Sequence, residues 1–286
     1  MRVRLYHGMH GAPLAISAEG AIALAGEFLA GMAASYGIVM PRAAVDAYPM
    51  IMAAGAVLSL IQVARHTPRQ ELVTWLDMSL VTLAGVLVGA RLYFVLMHLD
   101  YYRQRPLEAP QVWLGGLDWP GAALGGLLAA LAVALVMHQP LRQAADRLAH
   151  LAPPLGIAGW LGCWMAGCAY GPETTLFGLP TMGEDGRFSL RFPLQLLAAL
   201  SLLIYYAWLE IGVSRPLPAG QRAGLVGLGL AVNLLMFSFL RADPAPIWGG
   251  LRADSWAAGL LSVCMLALCL LPSALARIRP RQKTPG

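Results

Sequence analysis

Eight apolar stretches, each near the length needed to cross a bilayer, tile nearly all of this 286-residue chain. The breaks between them carry most of its charge. About 20 consecutive apolar residues, at 1.5 Å rise each, match the ~30 Å hydrocarbon layer. Helices are predicted near Ile16–Met40, Tyr48–Ala64, Thr74–Met97, Pro120–Met137, Leu148–Tyr170, Phe192–Val213, Ala223–Leu240 and Ser255–Ala276. Spanning backbone must satisfy its own hydrogen bonds, which leaves helices or a closed barrel, and none of these runs alternates with the period of two that a barrel needs. The expected fold is therefore an all-α integral membrane protein, a bundle of about eight transmembrane helices. A soluble domain is excluded by 58% hydrophobic and only 12% charged residues, against about 25% charged in ordinary soluble proteins.

The basic residues predict the orientation. Arg2 and Arg4, Arg65 and Arg69, Arg142 and Arg147, Arg215 and Arg222, and the tail Arg277, Arg279, Arg281 and Lys283 fall in every second connection. The positive-inside rule puts all of these, and both termini, in the cytoplasm. The segments His98–Trp119, Gly171–Arg191 and Arg241–Asp254 then face the outer compartment. The net charge of +5 is this inner-face excess, suited to anionic lipid headgroups rather than nucleic acid.

Cys163 and Cys168, like Cys264 and Cys269, are spaced too widely for a CxxC redox or zinc pair and read first as small residues within helices. Glu19 and Glu27 argue against a cleaved signal peptide over the first stretch. The chain divides into residues 1–47, an extra N-terminal helix and loop, and a membrane domain over 48–286.

Several segments hold residues a lipid-facing helix does not need. Arg91, in Gly89-Ala90-Arg91-Leu92-Tyr93, sits inside an apolar helix, where it either snorkels outward or faces an anion. The stretch from Gln111 to Gly126 carries Gly115, Gly116, Asp118, Gly121, Gly125 and the interfacial Trp113 and Trp119. Such glycines serve close helix packing or close approach to a ligand. Gly159, Gly162, Gly167 and Gly171, crowded into thirteen residues, predict a close approach or a helix break near the outer surface. Arg191-Phe192-Pro193-Leu194-Gln195 opens the sixth span, and Asn233 to Asp243 frames the outer end of the seventh.

In this order the segments resemble the prolipoprotein diacylglyceryl transferase family of bacterial inner membranes. The matching residues are Tyr48; Gly89 and Arg91; Gly115, Gly116 and Gly121; Gly159, Gly162, Cys163, Gly167, Tyr170 and Gly171; Arg191, Pro193 and Gln195; and Arg241. The resemblance runs from Tyr48 to the end of the chain, seven family-like helices behind one N-terminal helix. It departs where the family's loop histidine falls on Pro120, its arginine before Leu-Gly on Trp160, its late-helix arginine near Leu234, and a glutamate on Ser238.

The resemblance implies transfer of diacylglyceryl from phosphatidylglycerol to the lipobox cysteine of a lipoprotein precursor, at an outer-leaflet site in the plasma membrane. It calls for no cofactor and no metal. Such a reaction needs a thiol activator and cations for the leaving phosphate. His98 and Asp118 are the candidate bases, and Arg91 and Arg241 the candidate catalytic cations, with Arg252 adding to the field. Tyr48, Gly116, Gly121, Gly162, Cys163, Gly171, Arg191 and Gln195 are the candidate substrate-binding residues. The substituted family positions leave a second reading open, a catalytically inactive relative that binds phospholipid or a lipoprotein partner. A third makes Cys163 or Cys168 itself the nucleophile.

Overall fold

The computed structural model describes residues 43–112, 115–182, 188–213 and 217–278. The stretch expected over Ile16–Met40 lies outside the described residues. Nine α-helices are described: α1 Ala43–Arg65, α2 Leu72–Met97, α3 Leu99–Gln104, α4 Trp119–Val136, α5 Leu141–Leu148, α6 Ala152–Ala166, α7 Leu194–Gly212, α8 Gln221–Ser238 and α9 Ala253–Ile278. Two small antiparallel hairpins join them, β1 Leu179–Met182 with β2 Phe188–Arg191, and β3 Ile247–Trp248 with β4 Leu251–Arg252.

Six helices among the described residues are long and apolar enough to cross a membrane. The fifth expected span, Leu148–Tyr170, is shorter than its apolar stretch. It begins with a 3-10 turn at Ala149–Leu151, and α6 proper has 15 residues, ending where Gly167 takes a left-handed conformation at φ 72°. Glycine adopts that geometry without a Cβ clash and stops the helix. At about 22 Å, α6 proper is shorter than the ~30 Å hydrocarbon layer. The hairpins fall inside segments that sequence periodicity left as outer loops.

The bundle has two apolar cores. Trp160, Leu194, Ala198, Leu202, Tyr206 and Val226 join α6, α7 and α8, while Val63, Trp75, Met78, Val133 and Leu148 join α1, α2, α4 and α5. Large apolar side chains such as Leu80, Val88, Leu127, Ile204 and Val263 point outward and stay exposed. An exposed apolar belt around a bundle of spanning length is what lipid solvates. The protein is a multi-pass membrane protein.

Helices α2 and α4 pack backbone to backbone. A methyl group at Gly89 would overlap the Gly121 carbonyl oxygen, and one at Gly125 the Gly85 carbonyl oxygen. Gly85-x3-Gly89 meets Gly121-x3-Gly125, small residues four apart that let two backbones touch. Gly121, a candidate substrate contact in sequence, is thus occupied by helix packing. At the opposite pole, Asp146 of α5 accepts the N–H groups of Gly220 at 2.7 Å and Ala223 at 2.8 Å, capping α8.

Candidate active site

Because α1, α4, α7 and α9 begin where α2, α6 and α8 end, the candidate residues gather at one pole of the bundle. Arg91, one turn and a half before the end of α2, is 5% exposed. Its Nε donates to the Ala109 carbonyl at 2.7 Å and Nη2 to Glu108 at 2.7 Å, and Nη1 donates to the carbonyls of Gly115 and Gly116. The guanidinium also lies 5.3 Å from the Tyr102 ring centre and 5.9 Å from that of Phe94. Its donors are engaged by the returning loop, so Arg91 neither snorkels nor faces an anion; it anchors Glu108, Ala109, Gly115 and Gly116 to α2. Gly116, at φ 73°, stands so close to Phe94 and Arg91 Nη1 that a Cβ there would collide with both.

That loop delivers Asp118 to the start of α4. Its N–H donates to the Ala90 carbonyl at 3.3 Å, and its carboxylate, though at the N-cap position, makes no capping bond. Burial pushes the Asp118 carboxyl above the ordinary carboxylate range; His98 and Arg241 draw it back, and Asp254 and Asp243 raise it further. The carboxylate is also in electrostatic reach of Tyr48 on α1 and Tyr93 on α2. His98, exposed at the end of α2, shares Nδ1 with the Phe94 carbonyl at 2.9 Å and stacks on the Phe94 ring at 4.2 Å. With the proton on Nδ1, Nε2 is an open acceptor.

Arg241 and Arg252 form a closed quartet with Asp243 and Asp254. Arg241 reaches both Asp243 oxygens and Asp254 Oδ2 at 2.8 Å; Arg252 reaches Asp254 Oδ1 at 3.1 Å and the Asp243 carbonyl at 2.6 Å. Two cations and two anions cancel, so the positive field expected here is largely spent within the segment after α8, β4 and the start of α9.

The Ala242 N–H donates to the Tyr170 carbonyl at 2.9 Å, joining this quartet to the end of α6. Arg191 lies over the Tyr170 ring at 4.2 Å and pairs with Glu173 at 3.0 Å. Its Nε is buried without a hydrogen-bond partner. Glu173, Thr174, Thr175 and Leu190 border an open cleft of about 600 Å³ beside this pair. Gln195, fully buried, donates to the Cys168 carbonyl at 2.9 Å. Gly171 packs on Phe192, and Gly162 leaves room for the Tyr48 ring.

Cys163 and Cys168 are joined in a disulfide. This corrects the reading of both as unpaired small residues, and it removes the third mechanism, because a disulfide sulfur offers no thiolate. The turn at Gly167 brings the two together, with the Cys168 N–H on the Cys163 carbonyl.

Arg191 and Arg241 are thus linked through Tyr170, while Arg91 is turned to its own loop; the three guanidinium groups do not converge on one pocket.

The model of the prolipoprotein diacylglyceryl transferase family matches residues 37–271. This chain belongs to that family. Among curated relatives, a phosphatidylglycerol–prolipoprotein diacylglyceryl transferase of Nitratidesulfovibrio vulgaris (strain DSM 19637 / Miyazaki F) is 31% identical over 65% of this chain and 68% of its own length. One of Azospirillum brasilense is 30% identical over 82% and 90%. One of Streptococcus mutans is 28% identical over 78% and 89%.

Within this prolipoprotein diacylglyceryl transferase family member, the departures form their own network. Trp160 Nε1 donates to Asn233 Oδ1 at 2.9 Å, and Asn233 Nδ2 donates to the Ala198 carbonyl and to Ser201 Oγ at 2.8 Å. Ser238 bonds Ser255 at 2.9 Å. Pro120 occupies the first turn of α4, where a missing N–H costs nothing. Sequence reasoning gave Tyr93, Asp243, Asp254 and Ser255 no role at the site. Asp243 and Asp254 were legible only as acids flanking two arginines, a signal that needs the α8–α9 fold to become a quartet.

Proposed function

We propose that this chain transfers the diacylglyceryl group of phosphatidylglycerol to the lipobox cysteine of a lipoprotein precursor. The family match across most of the chain, shared with relatives named for that activity, carries the reading. The substrate thiol sulfur bonds to the glyceryl carbon, the bond from that carbon to the phosphate oxygen breaks, and glycerol phosphate leaves. His98 and Asp118 form the acceptor for the thiol proton, His98 through its open Nε2 and Asp118 by stabilising the resulting imidazolium. Their electrostatic coupling supports this pairing.

Arg191 is the cation for the leaving phosphate. Its Glu173 partner is a 66%-exposed side chain, the kind of surface ion pair whose net worth is small, and a phosphate replaces it at little loss. Arg91 acts through the loop it anchors, and Arg241 by setting the field at Asp118. Tyr48 and Gln195 brace the segment around the disulfide from α1 and α7, Tyr48 against Gly162 and Gln195 on the Cys168 carbonyl. The site faces the outer leaflet of the bacterial plasma membrane, with both termini in the cytoplasm, in keeping with the arginines at the other pole.

The test is mass measurement of a lipobox peptide incubated with the purified protein and phosphatidylglycerol vesicles. Arg191→Ala lowers the rate of diacylglyceryl addition about 10²-fold, as loss of one transition-state cation does. The neutral Trp160, on which the resemblance places an arginine, and its neutral partner Asn233 favour a second reading as a binding-only relative. No mass addition by folded protein that still binds the vesicles and peptide decides for it.

A further inference from the structure

At the pole opposite the lipid chemistry, three side chains distant in sequence meet. His66 follows α1, His150 lies in the 3-10 turn ahead of α6, and Glu210 is on the last turn of α7. Tyr48 and His66 are about 27 Å apart along α1 at 1.5 Å per residue. One nitrogen of each histidine and one carboxylate oxygen lie within 4.8 Å of one another. We propose that His66, His150 and Glu210 bind a zinc-like divalent cation.

The donor set is two imidazoles and a carboxylate, the borderline ligands zinc takes in three-ligand sites with a water in the fourth position. His66 Nδ1 sits 2.9 Å from the Gln62 carbonyl. A proton there leaves Nε2 as a bare lone pair, yet Nε2 stands 2.9 Å from Glu210 Oε2. Two acceptors facing at that distance repel unless a positive charge lies between them, either a second ring proton or a bound cation. A backbone carbonyl on the far ring nitrogen is also the usual support of a metal-bound histidine. Glu210 is prepared in the same sense: Arg222 holds Oε1 at 3.1 Å, which leaves Oε2 for the ion.

Ligands about 2.0–2.1 Å from zinc stand roughly 3.4 Å apart in a tetrahedron. His66 Nε2 stands 2.9 Å from Glu210 Oε2, a little inside that value, and His150 Nδ1 stands 3.9 Å from the other carboxylate oxygen, Oε1, with one donor atom of each residue within 4.8 Å of the others. The rings stack with centres 4.0 Å apart and planes 14° from parallel, so both must turn out of the stack for their lone pairs to meet one ion. His150 is buried, while His66 and Glu210 are about one-third exposed, which gives the ion a path from water. The site ties α1, α6 and α7 together at this pole and is independent of the lipid reaction.

The test uses the full chain, purified on a histidine-free tag and stripped with chelator. Wild-type protein is expected to bind cobalt with the intense visible absorption of a four-coordinate ion and to exchange it for zinc. His150→Asn and Glu210→Gln each lose that absorption, while His138→Asn, an exposed histidine elsewhere, keeps it. If a variant does not fold, wild-type protein still decides: acylation of His66 by diethyl pyrocarbonate slows about tenfold in zinc and not in magnesium, because a ligated nitrogen has no lone pair to offer. Cobalt absorption unchanged in both variants, its absence from wild type, or acylation indifferent to zinc overturns the proposal and leaves His66 and Glu210 as an imidazolium–carboxylate pair.

Discussion

The indole N–H of Trp160 on α6 donates to the side-chain oxygen of Asn233 on α8, 2.9 Å away and buried. Asn233 spends its two amide hydrogens on α7, at the Ala198 carbonyl and Ser201 Oγ. One amide therefore ties three helices. Asn233→Ala strands the buried Trp160 N–H, while the Ala198 carbonyl keeps Ser201 Oγ at 2.9 Å, and is expected to lower stability by about 1–3 kcal/mol. Unfolding of the detergent-solubilised protein measures it; a change below a few tenths of a kcal/mol would mean that water or another group takes over the bond.

Arg91→Lys is expected to be nearly as damaging as Arg91→Ala. A lysine carries the charge but not the planar fork that serves four carbonyls at once. Loss of charge-assisted bonds at about 1.5–3 kcal/mol each frees Glu108, Ala109, Gly115 and Gly116 from α2. Limited proteolysis should cut that loop faster in both variants, while the helices stay intact.

Asp118→Asn separates stability from activity. The folded carboxyl titrates above its unfolded value, so the unfolded state loses its proton first as pH rises. Stability then falls between the ordinary carboxylate range and the folded value, and the penalty persists at neutral pH. The amide removes that penalty. Denaturation curves at neutral pH should show Asp118→Asn more stable than the parent, with the gap closing in acid, and diacylglyceryl addition reduced about 10²-fold or more.

Asp146→Ala removes the cap from the N-terminus of α8. The expected loss is about 1–2 kcal/mol, and Asp146→Asn recovers part of it. Activity per folded molecule should be unchanged, because the cap lies at the pole away from Asp118.

Alkylation without reduction should leave Cys163 and Cys168 unmodified, and reduction should expose both. Cys264, which is exposed, reacts in either case. Replacing the pair by serine is expected to cost about 2 kcal/mol for so short a loop, read as a lower melting temperature.

Much of the fold was legible because a bilayer leaves few solutions. Runs such as Thr74–Met97 and Ala223–Leu240 must be helices, since no other unclosed backbone satisfies itself in lipid, and α2 and α8 follow them closely. Leu148–Tyr170 read too long because hydropathy does not register where a glycine turns the chain, and Gly167 turns it. The glycines of α2 and α4 were visible, but which of them meets a helix and which a ligand depends on the partner's register.

By itself the sequence determined a multi-pass helical bundle, the pole at which its polar segments collect, and the family to which the ordered motifs belong. These follow from length, hydropathy and order along the chain, which are local properties. Only the tertiary structure decided what each charge meets: Arg91 its own loop, Arg241 and Arg252 the acids Asp243 and Asp254, Arg191 the exposed Glu173, and His66 the distant Glu210. A guanidinium or imidazole takes its role from the atoms within about 3 Å of it, and in a bundle those come from segments the sequence keeps far apart.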